Sequence, residues 1–498
     1  KRRPQPPRGV VVSPVPPIRL RALTAAPTRA DGQYVLYWMT ATRRLERNYA
    51  LDHAAQLAET LQKPLVIFEA ISAGYRWASD RHHQAILDGM LEHERVLASK
   101  AVCYFPYVES KPGAGSGLLS TLADSACAVI TDDSPVFGTP RLLEAAARLK
   151  GVRVEAVDSC GLLPLRATDR VFTAAYHFRR FLHTELPTHL GDMPAADSLS
   201  GLQIPRLDAL PDSVTVRWDP TRETDLASRG FVDTLPIDHS VGVTEWKGGA
   251  TAARSEMLDF VRGRLPRYVD ERNHPDLDAP SGLSTWLHYG HISAHEIFST
   301  VTQAEGWTPL RLSEKADGRR KGWWGMSESA EAFLDQLITW RELGYGYCTH
   351  APDYARYETL PEWARGTLED HVSDPRDHTY SLEQFTNAET HDELWNAAQR
   401  QLVQAGRIHN YLRMLWGKKI LEWTEHPREA LDVMVELNNR YAIHGRDPNS
   451  YSGIFWTMGR FDRGWPERPI FGKVRSMTSK STRRKVSVDA YLERWSEC

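Results

Sequence analysis

Residues 34–68 read YVLYWMTATRRLERNYALDHAAQLAETLQKPLVIF, and this stretch sets the architecture of the first third of the chain. Two short apolar runs, YVLYW at 34–38 and PLVIF at 64–68, flank a segment of helical character from Asn48 to Leu61. A strand, a helix and a second strand in this order predict a βαβ unit, in which the two strands pair in parallel.

The same alternation continues towards residue 157. Three further helices are predicted near 81–99, 117–126 and 140–149, and three further strands at AVCYF (101–105), CAVIT (127–131) and VRVEAV (152–157). Strands that alternate with helices predict an α/β domain with a doubly wound, Rossmann-like parallel sheet. No GxGxxG follows the first strand and no GxxxxGK[ST] occurs, so neither classical phosphate-binding loop is expected.

The rest of the chain differs in composition. The pattern loosens over 160–240, and thirteen of the sixteen tryptophans lie beyond residue 240 among helical patterns. A larger all-α domain with a tryptophan-rich interior is therefore predicted. The division that we predict is a flexible arm (1–30), the α/β domain (31–165), an interdomain connection (166–240) and the helical domain (241–498).

Composition narrows the class of protein. Hydrophobic residues make up 41% and charged residues 25%, which is typical of a soluble globular protein. No apolar run is long enough for a membrane span, and no membrane partner is expected. The net charge of −3 gives no sign of a nucleic-acid partner, and the five scattered cysteines predict a cytoplasmic protein without a metal site.

Four segments carry residues suited to chemistry. Trp416 and Trp423 lie seven residues apart on one predicted helix beside Arg413, Met414 and Lys418, although ordinary core packing explains the same pattern. The segment GRDPNSYSGIFWTMGRFDRGW (445–465) is typical of a loop that lines a pocket, or of a capped loop between helices.

The other two segments suit phosphate groups. SGLSTWLHYGHIS (281–293) places Ser281 and Ser284 before a helix, where they hold a phosphate or simply cap the helix. FGKVRSMTSKSTRRKV (471–486) concentrates basic residues, which bind phosphates or form a solvated face.

Read together, these segments resemble the class II cyclobutane pyrimidine dimer photolyases of the photolyase/cryptochrome family. The likeness covers nearly the whole chain. It rests on YVLYWMTATRRLERNYAL (34–51), SGLSTWLHYGHIS, THDELWNAAQRQL (390–402), HNYLRMLWGKKILEW (409–423) and GRDPNSYSGIFW (445–456).

The resemblance implies a U-shaped FAD in the helical domain. It also implies blue-light-driven electron transfer from reduced FAD to a cyclobutane dimer that is flipped out of DNA, since a buried donor cannot reach a dimer inside the duplex. By this likeness Tyr268, Ser281, Leu283 and Ser284 hold the FAD phosphates. Residues at or near the flavin ring are Asn410, Arg413, Asn438 and His444.

The same likeness assigns the remaining sites. Trp416 and Trp395 form the proximal and distal members of a tryptophan pair that carries electrons from the surface, with Tyr380 and Trp423 nearby. The lesion site and reaction centre comprise Gln336, Trp340, Met414, Asn438 and Trp456, and the DNA-binding residues are Arg463, Lys473, Arg475, Arg483, Arg484 and Lys485. In this family the N-terminal sheet can hold a second, antenna chromophore of deazaflavin or folate type, and the protein is expected to act as a monomer.

Two positions depart from the family pattern. Gln336 stands where the family's FLxE motif has a glutamate, and His444 stands where an aspartate pairs with the flavin-side arginine. The (6-4) photolyases also carry glutamine at the first position, but they use a histidine where this chain has Met414. Gly344, Tyr345 and Gly346 replace a polar stretch that is common in the class.

Three functions therefore remain open at this point. The first is a DNA photolyase for cyclobutane dimers. The second is a photolyase-like photoreceptor or DNA-binding flavoprotein with weak or no repair, which Gln336 and His444 favour. The third is a flavoprotein whose partner is another protein.

Overall fold

The computed structural model describes residues 15–277 and 279–496. Its N-terminal part is a six-stranded sheet in the order β1-β6-β5-β2-β3-β4. The strands are β1 (Leu20–Ala22), β2 (Tyr34–Met39), β3 (Leu65–Ile71), β4 (Cys103–Val108), β5 (Ala126–Asp132) and β6 (Arg153–Val157). Four helices accompany them: α1 (Tyr49–Leu61), α2 (Asp80–Leu97), α3 (Leu118–Ser125) and α4 (Thr139–Ala146).

Strands β2 to β6 pair in parallel, and the predicted fold class is confirmed. Alternate residues of β2 point to opposite faces of the sheet. Val35 and Tyr37 pack in the apolar layer beneath α1, whereas Leu36 and Trp38 pack in the layer beneath α3. Since both faces of β2 are covered, its sequence is a continuous apolar run rather than an alternating one.

The predicted flexible arm is wrong for the part of residues 1–30 that the structure describes; residues 1–14 lie outside the described residues. Pro17–Arg19 forms a 3₁₀ turn, and β1 pairs antiparallel with β6. Arg19 is fully buried, forms an ion pair with Asp158 at 3.5 Å and donates to the carbonyl of Leu162. These partners lie far away in sequence, which is why a local pattern did not indicate them.

The segment predicted as an interdomain connection, 166–240, packs on both parts of the molecule. Phe178 and Leu182 of helix α5 (Ala175–Glu185) belong to a core of the helical part. The following stretch returns to the sheet, where Leu199 packs beneath one face and Trp218 beneath the other. Two short helices, α6 (Asp212–Thr215) and α7 (Glu223–Leu226), lie within it.

The C-terminal part is helical throughout its regular structure. Its helices are α8 (Ala250–Asp259), α9 (Tyr268–Glu271), α10 (Ser284–Tyr289), α11 (Ala294–Ala304), α12 (Glu328–Leu334), α13 (Arg341–His350), α14 (Glu362–Asp370), α15 (Leu382–Thr386), α16 (Glu393–Ala405), α17 (Asn410–Trp423), α18 (Pro427–Tyr441), α19 (Pro448–Thr457), α20 (Ser479–Lys485) and α21 (Asp489–Arg494). Two π-helical segments, Phe260–Arg264 and Asp335–Trp340, interrupt this pattern. No helix in 15–277 or 279–496 is long and apolar enough to cross a membrane.

Two apolar cores organise these helices. One contains Tyr268, Leu283 and Phe333, and the other contains Trp395, Trp416 and Trp423. Helices α16 and α17 pack against each other in the second core, after a turn at Gly406 that ends α16 in a left-handed conformation. The predicted tryptophan-rich interior is thus divided between the two cores, since Trp286, Trp323 and Trp324 are buried in the first.

The helical part closes over the carboxyl ends of the central strands. Asp132, at the end of β5, accepts hydrogen bonds from the backbone N–H groups of Thr40, Ala41 and Thr42. Gly290 packs directly on this turn with φ of +73°, and a side chain there would clash with the Ala41 carbonyl. The two parts therefore meet at the point where the strand order reverses.

Candidate active site

A large cavity opens into the helical part where the two cores meet. It has a volume of about 1220 Å³, and its walls are formed by α10, the π-helical segment Asp335–Trp340, α17 and α19. The cavity brings together most of the predicted cofactor, lesion and DNA residues. Those that line it are Tyr268, Ser281, Leu283, Ser284, Gln336, Trp340, Asn410, Arg413, Met414, His444, Trp456, Arg463 and Arg475.

One wall carries small hydroxyl residues. Helix α10 begins at Ser284, and its N-cap, Leu283, makes no side-chain capping bond. Ser281 precedes this cap, and its hydroxyl accepts the backbone N–H of Leu283 over 3.4 Å, so a local structural role stays open for this serine. Ser284 is the first helical residue and is exposed to the cavity, where its hydroxyl is available to a ligand.

A second wall carries an arginine–histidine pair. Arg413 donates from Nη2 to Nε2 of His444 over 2.8 Å, and Nδ1 of His444 lies 3.4 Å from the Thr285 hydroxyl. Burial, reinforced by the positive charge of Arg413, lowers the pKa of His444 to about 3. The imidazole is therefore neutral at neutral pH and serves as a hydrogen-bond acceptor for the guanidinium. Arg413 thus keeps a buried partner despite the missing aspartate.

Two indoles form a third wall. The ring centroids of Trp340 and Trp456 lie 5.1 Å apart with the planes tilted by 35°. This separation is that of a packed aromatic pair, so a base cannot enter between the rings. The two residues form one continuous apolar surface on the same side of the cavity. Met414, on α17, also lines the cavity.

Gln336 and Trp340 project from the π-helical segment Asp335–Trp340. Asp335 also lines the cavity, but its carboxylate receives a hydrogen bond from Arg179 over 2.9 Å. Gln336 is half-buried and presents an uncharged amide. Single π-helical turns are often found at functional sites.

Sequence reasoning gave no role to Lys418, which lies one turn after Met414 on the cavity face of α17. Its ammonium donates to the carbonyl of Thr457. Burial lowers the pKa of Lys418 to about 7, and the negative charge of Asp462 opposes this shift. A buried lysine on a helix facing a cavity carries no sequence signal beyond its spacing from Met414.

Asn438 does not line the cavity. Its side chain is buried and donates to the Oδ1 atom of Asn439 over 3.0 Å. The amide is therefore held by its neighbour on α18, behind the residues that form the wall. A direct contact between Asn438 and a ligand in this cavity stays a prediction.

The predicted tryptophan series lies behind α17, in the second core. The indole N–H of Trp395 donates to the carbonyl of Trp416 over 3.0 Å, and the ring centroids of Trp395 and Trp423 are 5.9 Å apart. Tyr380 follows, 5.5 Å from Trp423. Trp395, given as the distal member of the pair, is fully buried, so Tyr380 is the most exposed residue of the series.

The mouth of the cavity is basic. Arg463 and Arg475 both lie over the ring of Trp465, at 5.5 and 5.0 Å. Lys473, Arg484 and Lys485 are exposed but do not line the cavity, and Arg483 pairs with Glu393 at 2.7 Å. Further cations that line the cavity, which the sequence did not single out, are Arg272, Arg320, Lys321, Arg407 and Arg494.

Similarity to known proteins extends over nearly the whole chain. The deoxyribodipyrimidine photo-lyase of Methanothermobacter thermautotrophicus is 34% identical over 479 residues, which cover 96% of this chain and 97% of that protein. The proteins of the same name from Oryza sativa and Potorous tridactylus are 33% and 31% identical, over 93% and 92% of this chain. The chain belongs to the deoxyribodipyrimidine photolyase family. No family model matches the chain.

A solved photolyase structure has the same architecture. The class III photolyase of Agrobacterium tumefaciens aligns with a TM-score of 0.66 over 93% of this chain and 86% of that chain, at 18% sequence identity. At this identity the likeness concerns the fold alone. The present photolyase-family protein likewise has an α/β part followed by a helical part, and its cavity lies within the helical part.

Replacing His444 with leucine should destabilise the apoprotein. The Arg413 guanidinium would lose its acceptor, and an unmade hydrogen bond to a buried charged group costs about 1–3 kcal/mol. His444→Asn, which keeps an acceptor, should lose less. The measurement is the free energy of unfolding in denaturant. Equal stability of the leucine variant and the parent would show that the pair does not stabilise the wall.

Proposed function

We propose that the protein is a light-driven DNA-repair enzyme, a deoxyribodipyrimidine photo-lyase, that splits cyclobutane pyrimidine dimers. The observation that carries the proposal is the combination, in one cavity, of an Arg413–His444 wall, an indole wall from Trp340 and Trp456, and a basic mouth. Relatives of this name over nearly the full length support the same reaction. The motifs of the sequence further favour the class II branch.

The cavity suits FAD. Its volume of about 1220 Å³ exceeds the range of roughly 300–1,000 Å³ that is usual for small-ligand sites, so it has room for a large cofactor beside part of a substrate. The Nε atom of Arg413 is buried without a hydrogen-bond partner in the described part of the chain. This donor points to a ligand with acceptor atoms next to α17.

Different residues of the cavity wall bind different parts of FAD. Ser281, Ser284 and Thr285 provide hydroxyl groups for the phosphates, and Arg413 provides the donor beside the flavin ring. When bound in reduced form and excited by blue light, FAD supplies the electron that splits the dimer. Because His444 is neutral, it does not cancel the charge of Arg413; the buried Asp447 carboxylate acts on this guanidinium from a greater distance than a direct ion pair, and the cation favours electron-rich groups at the wall.

Gln336 and the two indoles hold the lesion. The indole surface of Trp340 and Trp456 offers an apolar area on which flipped pyrimidines stack. The Gln336 amide N–H donates to a pyrimidine carbonyl oxygen, where negative charge accumulates after electron transfer. An amide stabilises this charge by a hydrogen bond but cannot transfer a proton to it.

A second chromophore also stays a proposal. A smaller cavity of about 420 Å³ lies between the segment after β3 and helix α18, lined by Tyr75, Trp77, Ile237 and Arg440 among others. Its volume falls within the usual range of about 300–1,000 Å³ for small ligands. Its aromatic residues supply flat apolar surfaces for a planar chromophore.

Blue light should remove dimers from a pyrimidine-dimer oligonucleotide when the protein's flavin has been reduced beforehand, and darkness should not. Gln336→Leu should lower the repair rate by at least about tenfold, because it removes the donor to the developing charge. Gln336→Glu is the matched control of similar size. Tight binding of damaged DNA without repair by the parent, with rescue by the glutamate variant, would favour the photoreceptor or DNA-binding alternative.

Trp416→Phe should slow the photoreduction of oxidised FAD while the cofactor stays bound, since phenylalanine is much harder to oxidise than tryptophan. Trp363→Phe is the matched control, because Trp363 packs against the same core but is not part of the series. Absorbance under blue light measures the rate. A rate that Trp416→Phe leaves unchanged would remove this residue from electron transfer.

The double variant Arg463→Ala, Arg475→Ala should bind damaged DNA more weakly. The slope of the logarithm of affinity against the logarithm of salt concentration should fall by the amount expected for the loss of about two phosphate contacts. The triple replacement of Arg483, Arg484 and Lys485 by alanine shows whether α20 also contacts the backbone. Arg148→Ala with Lys150→Ala, on the α/β domain, is the control of equal charge. If the first pair behaves like this control, the cavity mouth does not face DNA.

A further inference from the structure

The tryptophan series ends at a hydrogen-bonded tyrosine and histidine. The Tyr380 hydroxyl lies 2.6 Å from Nδ1 of His391. The same hydroxyl oxygen accepts the backbone N–H of His391 over 3.0 Å. His391 is exposed, whereas Trp395 and Trp423 are buried. This contact therefore connects the buried aromatic residues to solvent.

The surroundings of Trp423 disfavour a positive charge on its ring. The ammonium of Lys419 lies 5.0 Å above the Trp423 ring, although Glu422 pairs with this lysine at 2.8 Å. An oxidised indole is a cation, and the nearby ammonium raises its energy. Tyr380, 5.5 Å away, can take over the oxidation without gaining net charge if it loses its phenolic proton in the same step.

We propose that His391 accepts the phenolic proton of Tyr380 when Tyr380 gives an electron to oxidised Trp423. The proposal rests on the electron-transfer series inferred above, whose oxidant is photoexcited oxidised flavin. One electron moves from Tyr380 to the Trp423 radical cation, which returns to neutral tryptophan. The O–H bond of Tyr380 breaks and its proton binds Nδ1 of His391, which leaves a neutral tyrosyl radical beside an imidazolium.

The hydrogen bonds orient the proton for this transfer. The backbone N–H of His391 donates to one lone pair of the Tyr380 oxygen, and in the tautomer with an unprotonated Nδ1 the hydroxyl donates its proton to the ring. Neutral imidazole with an unprotonated Nδ1 is a suitable base. Since the histidine ring is exposed, the imidazolium that forms can release its proton to water.

The surroundings keep His391 unprotonated. Partial desolvation of the ring by its neighbours and the adjacent His378, whose ring stacks on His391 at 3.8 Å, lower the pKa of His391 below the usual value. Lys419 acts in the same direction, whereas Asp392 and Glu422 oppose it. The ring therefore stays available as an acceptor to a lower pH than a free imidazole.

The test is flash photolysis of the protein with bound oxidised FAD, with transient absorption as the readout. His391→Phe should lower the yield of neutral tyrosyl radical at least about tenfold and leave the tryptophan radical longer-lived, since no positioned base remains. The unmodified protein should show a solvent deuterium effect on tyrosyl formation that this variant lacks. His378→Phe, which keeps a ring on His391 and leaves the Tyr380 contact intact, should retain the yield.

The pH profile of the unmodified protein provides a test that needs no variant. The tyrosyl yield should fall as the pH drops below the ordinary histidine range, because a protonated His391 cannot accept. Equal tyrosyl yield and deuterium effect in His391→Phe, or a yield that is independent of pH, would overturn the proposal. A tryptophan radical without a tyrosyl radical in the parent would overturn this proposal alone, whereas the absence of both radicals would overturn the electron-transfer series as well.

Discussion

Helix α17 lies between two environments, the cavity on one face and the second apolar core on the other. Arg413, Met414 and Lys418 face the cavity, whereas Trp416 and Trp423 lie on the nearly opposite face in the second core. The cavity wall and the tryptophan series are therefore two sides of a single rigid element. Any shift of α17 would move Arg413 and the two indoles together. Packing against both α16 and α18 holds the helix in place.

The charges around the cavity follow a consistent pattern. Both departures from the family sequence exchange a carboxylate for a neutral side chain, because Gln336 is an amide and burial keeps His444 uncharged. The acids that line the cavity have cationic or donor partners of their own: Asp335 is bound by Arg179, and the buried Asp447 pairs with His288 at 3.2 Å while it acts on Arg413. The wall therefore carries less negative charge than the family pattern implies. In the proposed site, the cation Arg413 and the donor Gln336 would both favour an added electron.

The sequence predicted the parts of the fold that local patterns determine. The strands β2 to β6 are apolar runs between helical segments, so a doubly wound parallel sheet followed from the pattern, although the order of the strands did not. The sheet-forming role of residues 17–22 escaped prediction, because the proline-rich start resembles an unstructured arm and its contacts, such as Arg19 with Asp158, lie far away in sequence. The π-helical segment was missed for another reason, since its residues fit an ordinary helix equally well.

The site shows the same division. Motifs correctly gathered Ser284, Gln336, Arg413 and Trp456 around one cavity, because those motifs lie on the elements that form its walls. The motifs did not predict that Trp395 is fully buried, or that the Asn438 side chain bonds its neighbour Asn439 instead of lining the cavity. Burial depends on how distant helices pack. Cations such as Arg320 and Arg407 come from separate loops, and only the folded chain brings them to one mouth.

The most direct test is a crystal structure of the protein with FAD and a duplex that contains a cyclobutane dimer. The account predicts that the flavin ring lies beside Arg413 and that the dimer is flipped out of the duplex, stacked on Trp340 and Trp456 within hydrogen-bond distance of Gln336. A structure in which FAD fills the cavity up to the indole surface, with the dimer left in the duplex, would contradict it.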